Sequence, residues 1–239
     1  MIRISNLKKS FGEVVACDID ALTIKSNEII GLVGNNGAGK TTLFRLILDL
    51  LKPDEGSVCL SGNNGNEIVE VRVNESEEWK TYTGAFIDDG FLIDFLTADE
   101  YLDFIGKISG MTPQEVKDRK DYFSEFAADE LFGNDKLIRN LSAGNKQKVG
   151  IISALFNKPE IVILDEPFNF LDPSTQKRLK GLIEEYRKET GATIVISSHN
   201  LTHTVDVSTR ILLLESGKII QDIDNSNGEA VDILNDYFQ

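Results

Sequence analysis

Cysteine and histidine are nearly absent from this chain. The two cysteines, Cys17 and Cys59, stand far apart, in neither a metal-binding nor a dithiol spacing. Two free thiols in a reducing compartment are expected rather than a disulfide framework. The two histidines, His199 and His203, are four residues apart, a spacing that zinc pairs also use. Asn200 stands where a zinc hydrolase needs its glutamate, and there is no third histidine. Zinc chemistry is therefore set aside, and His203 is read as a surface or packing residue. No apolar run approaches the length of a membrane span. The opening MIRISNLKKS has no apolar signal region. The chain is expected in the cytoplasm, with another chain supplying any membrane part. Positive charge is short as well: 25 Lys and Arg face 39 Asp and Glu, a net charge of −14. Such a surface repels nucleic-acid phosphate and anionic lipid, so no nucleic-acid partner is expected, though a local basic pocket is compatible with it. Internal repeats, low-complexity segments and long linkers are also missing.

What is present is an alternation of strand and helix patterns over 239 residues, 41% of them hydrophobic. That is enough for one sizeable core with an inserted subdomain. IRISNL and VVACDIDALTI alternate as half-buried strands do, and EIIGLVG (28–34) reads as a buried parallel strand. KTTLFRLILDLL (40–51) has helical spacing, with Pro53 as its stop. SVCLSG, EIVEVRV and TYTGAFID read as further strands, with a turn at NNGN (63–66). From Thr97 to about Asn157 the pattern is mostly helical. TPQE (112–115) opens one of these helices as a capping box, with Thr112 as N-cap and Glu115 three residues on. The α/β rhythm returns after Pro159, with a hairpin about Gly217 and a short amphipathic helix EAVDILNDYF at the end. The expected division is a single domain. Residues 1–90 and 156–239 form its core with an antiparallel β layer, and about 91–155 form a helical insert.

Two stretches carry chemistry. GNNGAGKT (34–41) fits G-x-x-x-x-G-K-[ST] and sits between a strand and a helix, the context that pattern requires. Its glycines let successive N–H groups of Asn35, Asn36, Gly37, Ala38 and Gly39 curl around phosphate oxygens, and the helix adds its positive end. Lys40 reaches the terminal phosphates as a point charge. The Thr41 hydroxyl suits Mg²⁺, and Thr42 an inner phosphate. IVILDEP (161–167) ends an apolar strand in two acids. Asp165 can hold Mg²⁺, and Glu166 can orient or deprotonate a water.

LSAGNKQKVGIISAL (141–155) resembles the signature motif of ABC-type ATPases, in the place where that family carries it. Residues 5–220 follow the family's order. Phe11 resembles the aromatic residue that stacks on adenine, with core packing as its plain alternative. GNNGAGKTT resembles the Walker A loop, IVILDEP the Walker B strand, NFLDP (169–173) the D-loop, and His199 in ISSHNL the switch histidine. The resemblance implies a P-loop NTPase core with a parallel sheet, an antiparallel β subdomain and an inserted α-helical subdomain. It implies ATP and Mg²⁺ as cofactors. A second ATPase subunit, the same chain or another, would pair head to tail. Ser142 and Gly144 would then face ATP on the partner's Walker A loop, Asp172 would cross the seam, and His199 would contact the γ-phosphate or the water. A separate transmembrane permease would be driven from the inner face of the membrane.

Several residues depart from the family pattern. Ala143 and Asn145 replace the third and fifth residues of the usual signature. Lys146–Gln147 is common in ATPases of ABC-2-type exporters and favours export. Lys146 and Lys148 are read as solvated charges. Phe168 and Phe170 are unusually bulky, either at the dimer seam or in the core. Counting back from LTADEYL, the family's Q-loop glutamine falls on FIDDGF (86–91), where this chain has Asp88 and then Asp89. An acid here sits beside phosphate only through Mg²⁺ or water, so Asp88 is expected to touch the metal indirectly. A soluble ABC ATPase that does not drive transport, such as an iron–sulfur assembly ATPase, is the alternative reading.

Overall fold

Three short segments are rich in branched apolar residues: Ile29–Val33, Ile161–Leu164 and Thr193–Ser198, the last with a threonine and two serines at its ends. Each is buried throughout, as strands covered on both faces must be. They form the centre of the fold in the computed structural model. It describes residues 1–63, 67–128, 131–199, 201–228, 230 and 234, with the backbone alone at 201 and 202. The strands are β1 (Ile2–Phe11), β2 (Val14–Ile24), β3 (Ile29–Val33), β4 (Glu55–Asn63), β5 (Ile68–Arg72), β6 (Thr83–Phe86), β7 (Ile161–Leu164), β8 (Thr193–Ser198), β9 (Arg210–Glu215) and β10 (Lys218–Asp224). The helices are α1 (Lys40–Ile47), α2 (Ala98–Ile108), α3 (Pro113–Ala127), α4 (Ala143–Leu155), α5 (Pro173–Thr190) and α6 (Leu201–Val207).

A six-stranded sheet runs β10-β9-β3-β8-β7-β6, parallel except for the β9–β10 hairpin. A four-stranded sheet, β2-β1-β4-β5, is antiparallel throughout. In β1, β2 and β4 buried residues are interleaved with more exposed ones, because one face meets solvent. The period of two sorts the central strands between two cores. Val162, Leu164, Ile194 and Ile196 pack with α2–α5, while Ile161, Ile163 and Val195 pack with α1 and the antiparallel sheet. This is the expected α/β fold with both sheets and its helices.

Two local expectations need correction. α1 ends at Ile47, well before Pro53. Asp49 turns left-handed at φ 52, and the Leu50 and Leu51 amides return to the Arg45 carbonyl at 2.8 and 3.1 Å. That closes the helix without help from proline. Lys148 is not solvated: it is buried on α4, with its ammonium 3.5 Å from the Ala127 carbonyl. α4 packs on β6 and β7 and is covered by α2 and α3, so little of its surface is free. Its C-terminal carbonyls, Leu155 and Phe156, accept hydrogen bonds from the buried Arg119 of α3 at 2.8 and 2.9 Å. The helix's negative end thus supplies what a carboxylate would otherwise provide.

The capping box at Thr112–Glu115 forms, and a second one forms at Thr97–Glu100. Trp79, without an assigned place in the sequence, is buried and donates Nε1–H to the Val73 carbonyl at 3.1 Å. The expected turn at NNGN lies largely outside the described residues. So does EAVDILNDYF, apart from Ala230 and Leu234, which pack with Val205, Ile211 and Leu213. No helix among the described residues is long and apolar enough to cross a membrane.

Candidate active site

In an open parallel sheet, polar groups converge where neighbouring strands end. Here β3, β8, β7 and β6 are consecutive neighbours. Their carboxyl ends deliver the glycine-rich loop, then Ser197 and His199, then Asp165 and Glu166, then Asp88. Each segment is set by its strand's register: Leu32 lies beside Ser197, and Ile196 beside Leu164.

The loop closes tightly. The Ala38 N–H donates to the Asn35 carbonyl at 3.0 Å. Gly39 has φ 109, and a Cβ there would lie 2.3 Å from the Ala16 carbonyl oxygen. Only glycine fits both conditions. Asn35, Asn36 and Gly37 are exposed at the rim, and Ala38 is buried beneath it. Lys40 opens α1 and folds back. Its Nζ donates to the carbonyls of Gly34 (2.6 Å) and Asn35 (3.3 Å) and stands 3.7 Å from Glu166 Oε1. Thr42 follows, half-buried, in the first turn.

Asp165 is buried and doubly held. Thr41 Oγ1 donates to its Oδ2 at 2.5 Å, and the Ser197 hydroxyl donates to its Oδ1. Burial pushes its carboxyl above the ordinary range, and these two hydrogen bonds pull the other way. Glu166 takes a left-handed backbone, φ 47. Its Oε2 is 2.8 Å from His199 Nδ1 and accepts the His199 N–H at 3.3 Å. Lys40, Thr41, Asp165, Glu166 and His199 therefore meet in one place.

Asp88 lies at the rim of a cavity of about 210 Å³ that Asp165 and Glu166 also line. Its carboxylate accepts from the Gly90 N–H at 2.9 Å and from Arg45 at 3.5 Å. Asp89 next to it pairs with Lys146 at 3.4 Å, joining this loop to α4. Ser142 caps α4, accepting from the Asn145 N–H at 3.2 Å. A Cβ on Gly144 would lie 2.7 Å from the Phe170 carbonyl oxygen, so the backbones at these two positions pass close together. Phe170 itself is 73% exposed in a left-handed backbone. Phe168 is core, stacked on His203 with centroids 5.2 Å apart, which makes His203 the packing residue expected of it.

Asp172 caps α5 with both oxygens, accepting from the Ser174 and Thr175 amides and hydroxyls. Those bonds, the Thr175 hydroxyl's first, hold its carboxyl far below the usual range. Phe11 is 52% exposed, with the Lys9 ammonium 5.7 Å from its ring centroid, so it is not a core residue. Among the described residues, no group of three or more His, Cys, Asp and Glu is placed to hold a metal. Sequence reasoning missed Ser197 and Gln147, whose contacts with Asp165 and Glu166 run between distant segments.

Residues 18–169 match the family model described as ABC transporter. The uncharacterized ABC transporter ATP-binding protein YhaQ of Bacillus subtilis is 33% identical, over 91% of this chain and 69% of its own length. A phosphonates import ATP-binding protein of Ruegeria sp. strain TM1040 is 33% identical, over 93% of this chain and 88% of its own. A dimeric ATP-binding cassette, solved in a post-hydrolysis state bound to ADP and Pi, superposes with a TM-score of 0.80 at 25% identity. It covers 94% of this chain and 99% of that one. The chain belongs to the ABC transporter family as an ATP-binding, ATP-hydrolysing domain.

Proposed function

We propose that this chain is the engine of a transporter: two ATPase subunits close head to tail on ATP and drive a separate transmembrane permease from the cytoplasmic face. The observation that carries it is the meeting of Thr41–Asp165 with Lys40–Glu166–His199 at one edge of the sheet. Lys40 and the N–H groups of residues 35–39 take the phosphates, and Thr42 an inner one. Glu166 orients the attacking water or accepts its proton, and His199 steadies the Glu166 carboxylate and faces the γ-phosphate.

The donors suit Mg²⁺. Thr41 and Asp165 offer hard oxygens 2.5 Å apart beside the phosphate loop. Few protein ligands fit an ion that takes the rest from phosphate and water. When bound, it offsets phosphate charge. Asp88 is held by Arg45 and Gly90, which favours a contact with the ion through water. Phe11, exposed at the end of β1, stacks on adenine. Ser142, Gly144 and Asp172 reach the partner's nucleotide. The helical segment, about 91–155, is the part that the permease moves against.

Export rests on Lys146–Gln147 alone. The one relative named above whose printed name states a direction says import. No observation favours the iron–sulfur alternative. Co-purification from cells with a membrane protein, together with ATP hydrolysis that rises on reconstitution with it, is the expected result. Failure to associate with any membrane subunit would sink the transport assignment. Reconstituted vesicles with ATP outside would then give the direction of cargo movement.

A further inference from the structure

A glutamate in the left-handed region is disfavoured unless its surroundings impose that conformation. At Glu166 the surroundings act on both ends of the residue. The N–H donates to Ser197 Oγ at 2.8 Å, and the carbonyl accepts from Gln147 Nε2 at 3.1 Å. The Asn169 N–H reaches the same carbonyl at 3.1 Å. Ser197 is 0% exposed and Gln147 8% exposed. Polar side chains so buried need partners, and these two find theirs on Glu166 and Asp165. The Ser197 hydroxyl gives its proton to Asp165 Oδ1, so toward Glu166 it can only accept. The donor and acceptor roles in this chain of bonds are thereby fixed.

We propose that Ser197 and Gln147 are positioning residues that clamp the Glu166 backbone and so aim its carboxylate at the attacking water. Ser197 also joins the base to Asp165 through one hydroxyl. Gln147 stands on α4, the helix that Ser142 opens. A shift of that helix is therefore felt at the base of the same chain. The inference rests on the assignment of Glu166 as the base.

The test compares the full-length chain with Ser197→Ala, Ser197→Thr, Gln147→Met and Glu166→Gln. It reads kcat, KM and the affinity for a fluorescent ATP analogue. Ser197→Ala and Gln147→Met are each expected to lower kcat roughly 10- to 100-fold, while KM and analogue affinity stay within about threefold. Ser197→Thr, which keeps the hydroxyl, recovers most of the rate. Ser197→Ala added to Glu166→Gln causes no further loss, because its effect passes through the base. Should Ser197→Ala not fold, Gln147→Met, on a different element, carries the test. Wild-type kcat in Ser197→Ala and Gln147→Met beside an inactive Glu166→Gln would overturn the clamp and leave the base assignment standing. Loss of analogue binding in both clamp variants would reduce them to structural residues and also overturn it. A wild-type rate in Glu166→Gln would instead remove the base assignment, and the clamp with it.

Discussion

At the scale of single residues, what decides the site is where each polar atom is already engaged. Asp165 shares both oxygens with neighbouring hydroxyls, whereas Asp88 spends its carboxylate on Arg45 and the Gly90 amide. A glutamine at position 88 can accept the same bonds and donate as well. Asp88→Gln is therefore expected to keep basal ATP hydrolysis within about threefold while changing its stimulation by the membrane partner. Loss of basal hydrolysis in that variant would put the acid inside the catalytic site. The glycine-rich loop and the LDEP strand end were legible in the sequence because their chemistry lies in consecutive residues. Ser197 and Gln147 were not. Their partners are 31 and 19 residues away from them, and only the β7–β8 register and the seating of α4 bring them together.

At the scale of elements, local signals worked where the local chain decides the outcome. The Thr112 capping box forms as read: Glu115 accepts the Thr112 N–H at 2.7 Å, and the Glu115 N–H meets the Thr112 hydroxyl at 3.3 Å. Thr112→Ala is expected to destabilise the chain by about 1 kcal/mol, a difference that denaturant unfolding resolves. An unchanged midpoint would show that packing alone holds α3. Local reading failed where tertiary contact decides. The end of α1 is set by Asp49 rather than Pro53, and Lys148 looked solvated because charge patterns do not reveal a helix covered on several sides. The T-x-x-E signal at Thr97 was present in the sequence too, but only the structure drew it out.

At the scale of the whole molecule, a net charge of −14 coexists with a site built around a buried lysine and a helix N-terminus. Several carboxylates are committed to the folded state. Hydrogen bonds hold Asp172, Glu115, Asp54 and Asp224 below their ordinary range: the Thr175 hydroxyl for Asp172, the Thr112 amide for Glu115, Lys9 for Asp54 and the Ser226 hydroxyl for Asp224. A depressed carboxyl stabilises the fold above its unfolded value, and that contribution is lost as pH falls through the folded one. Asp165, raised by burial, acts in the opposite sense. Because the depressed group is larger, the thermal midpoint is expected to fall as pH drops from about 5 to about 3. Asp172→Asn should flatten that dependence, and an identical pH profile in the variant would argue against it. The parallel sheet and its helices followed from buried strand runs alternating with helical spacing. The proposed pairing of two such chains, and their proposed seating on a membrane partner, would be properties of surfaces, which periodicity does not report.

The most direct test is steady-state ATP hydrolysis with Mg²⁺ by the purified chain and its Glu166→Gln variant, read beside nucleotide affinity. Turnover is expected to fall by about a hundredfold or more while affinity for ATP is kept, because in the proposed mechanism Glu166 acts on water and Lys40 and the loop bind phosphate. Turnover in Glu166→Gln equal to that of the wild type would contradict it.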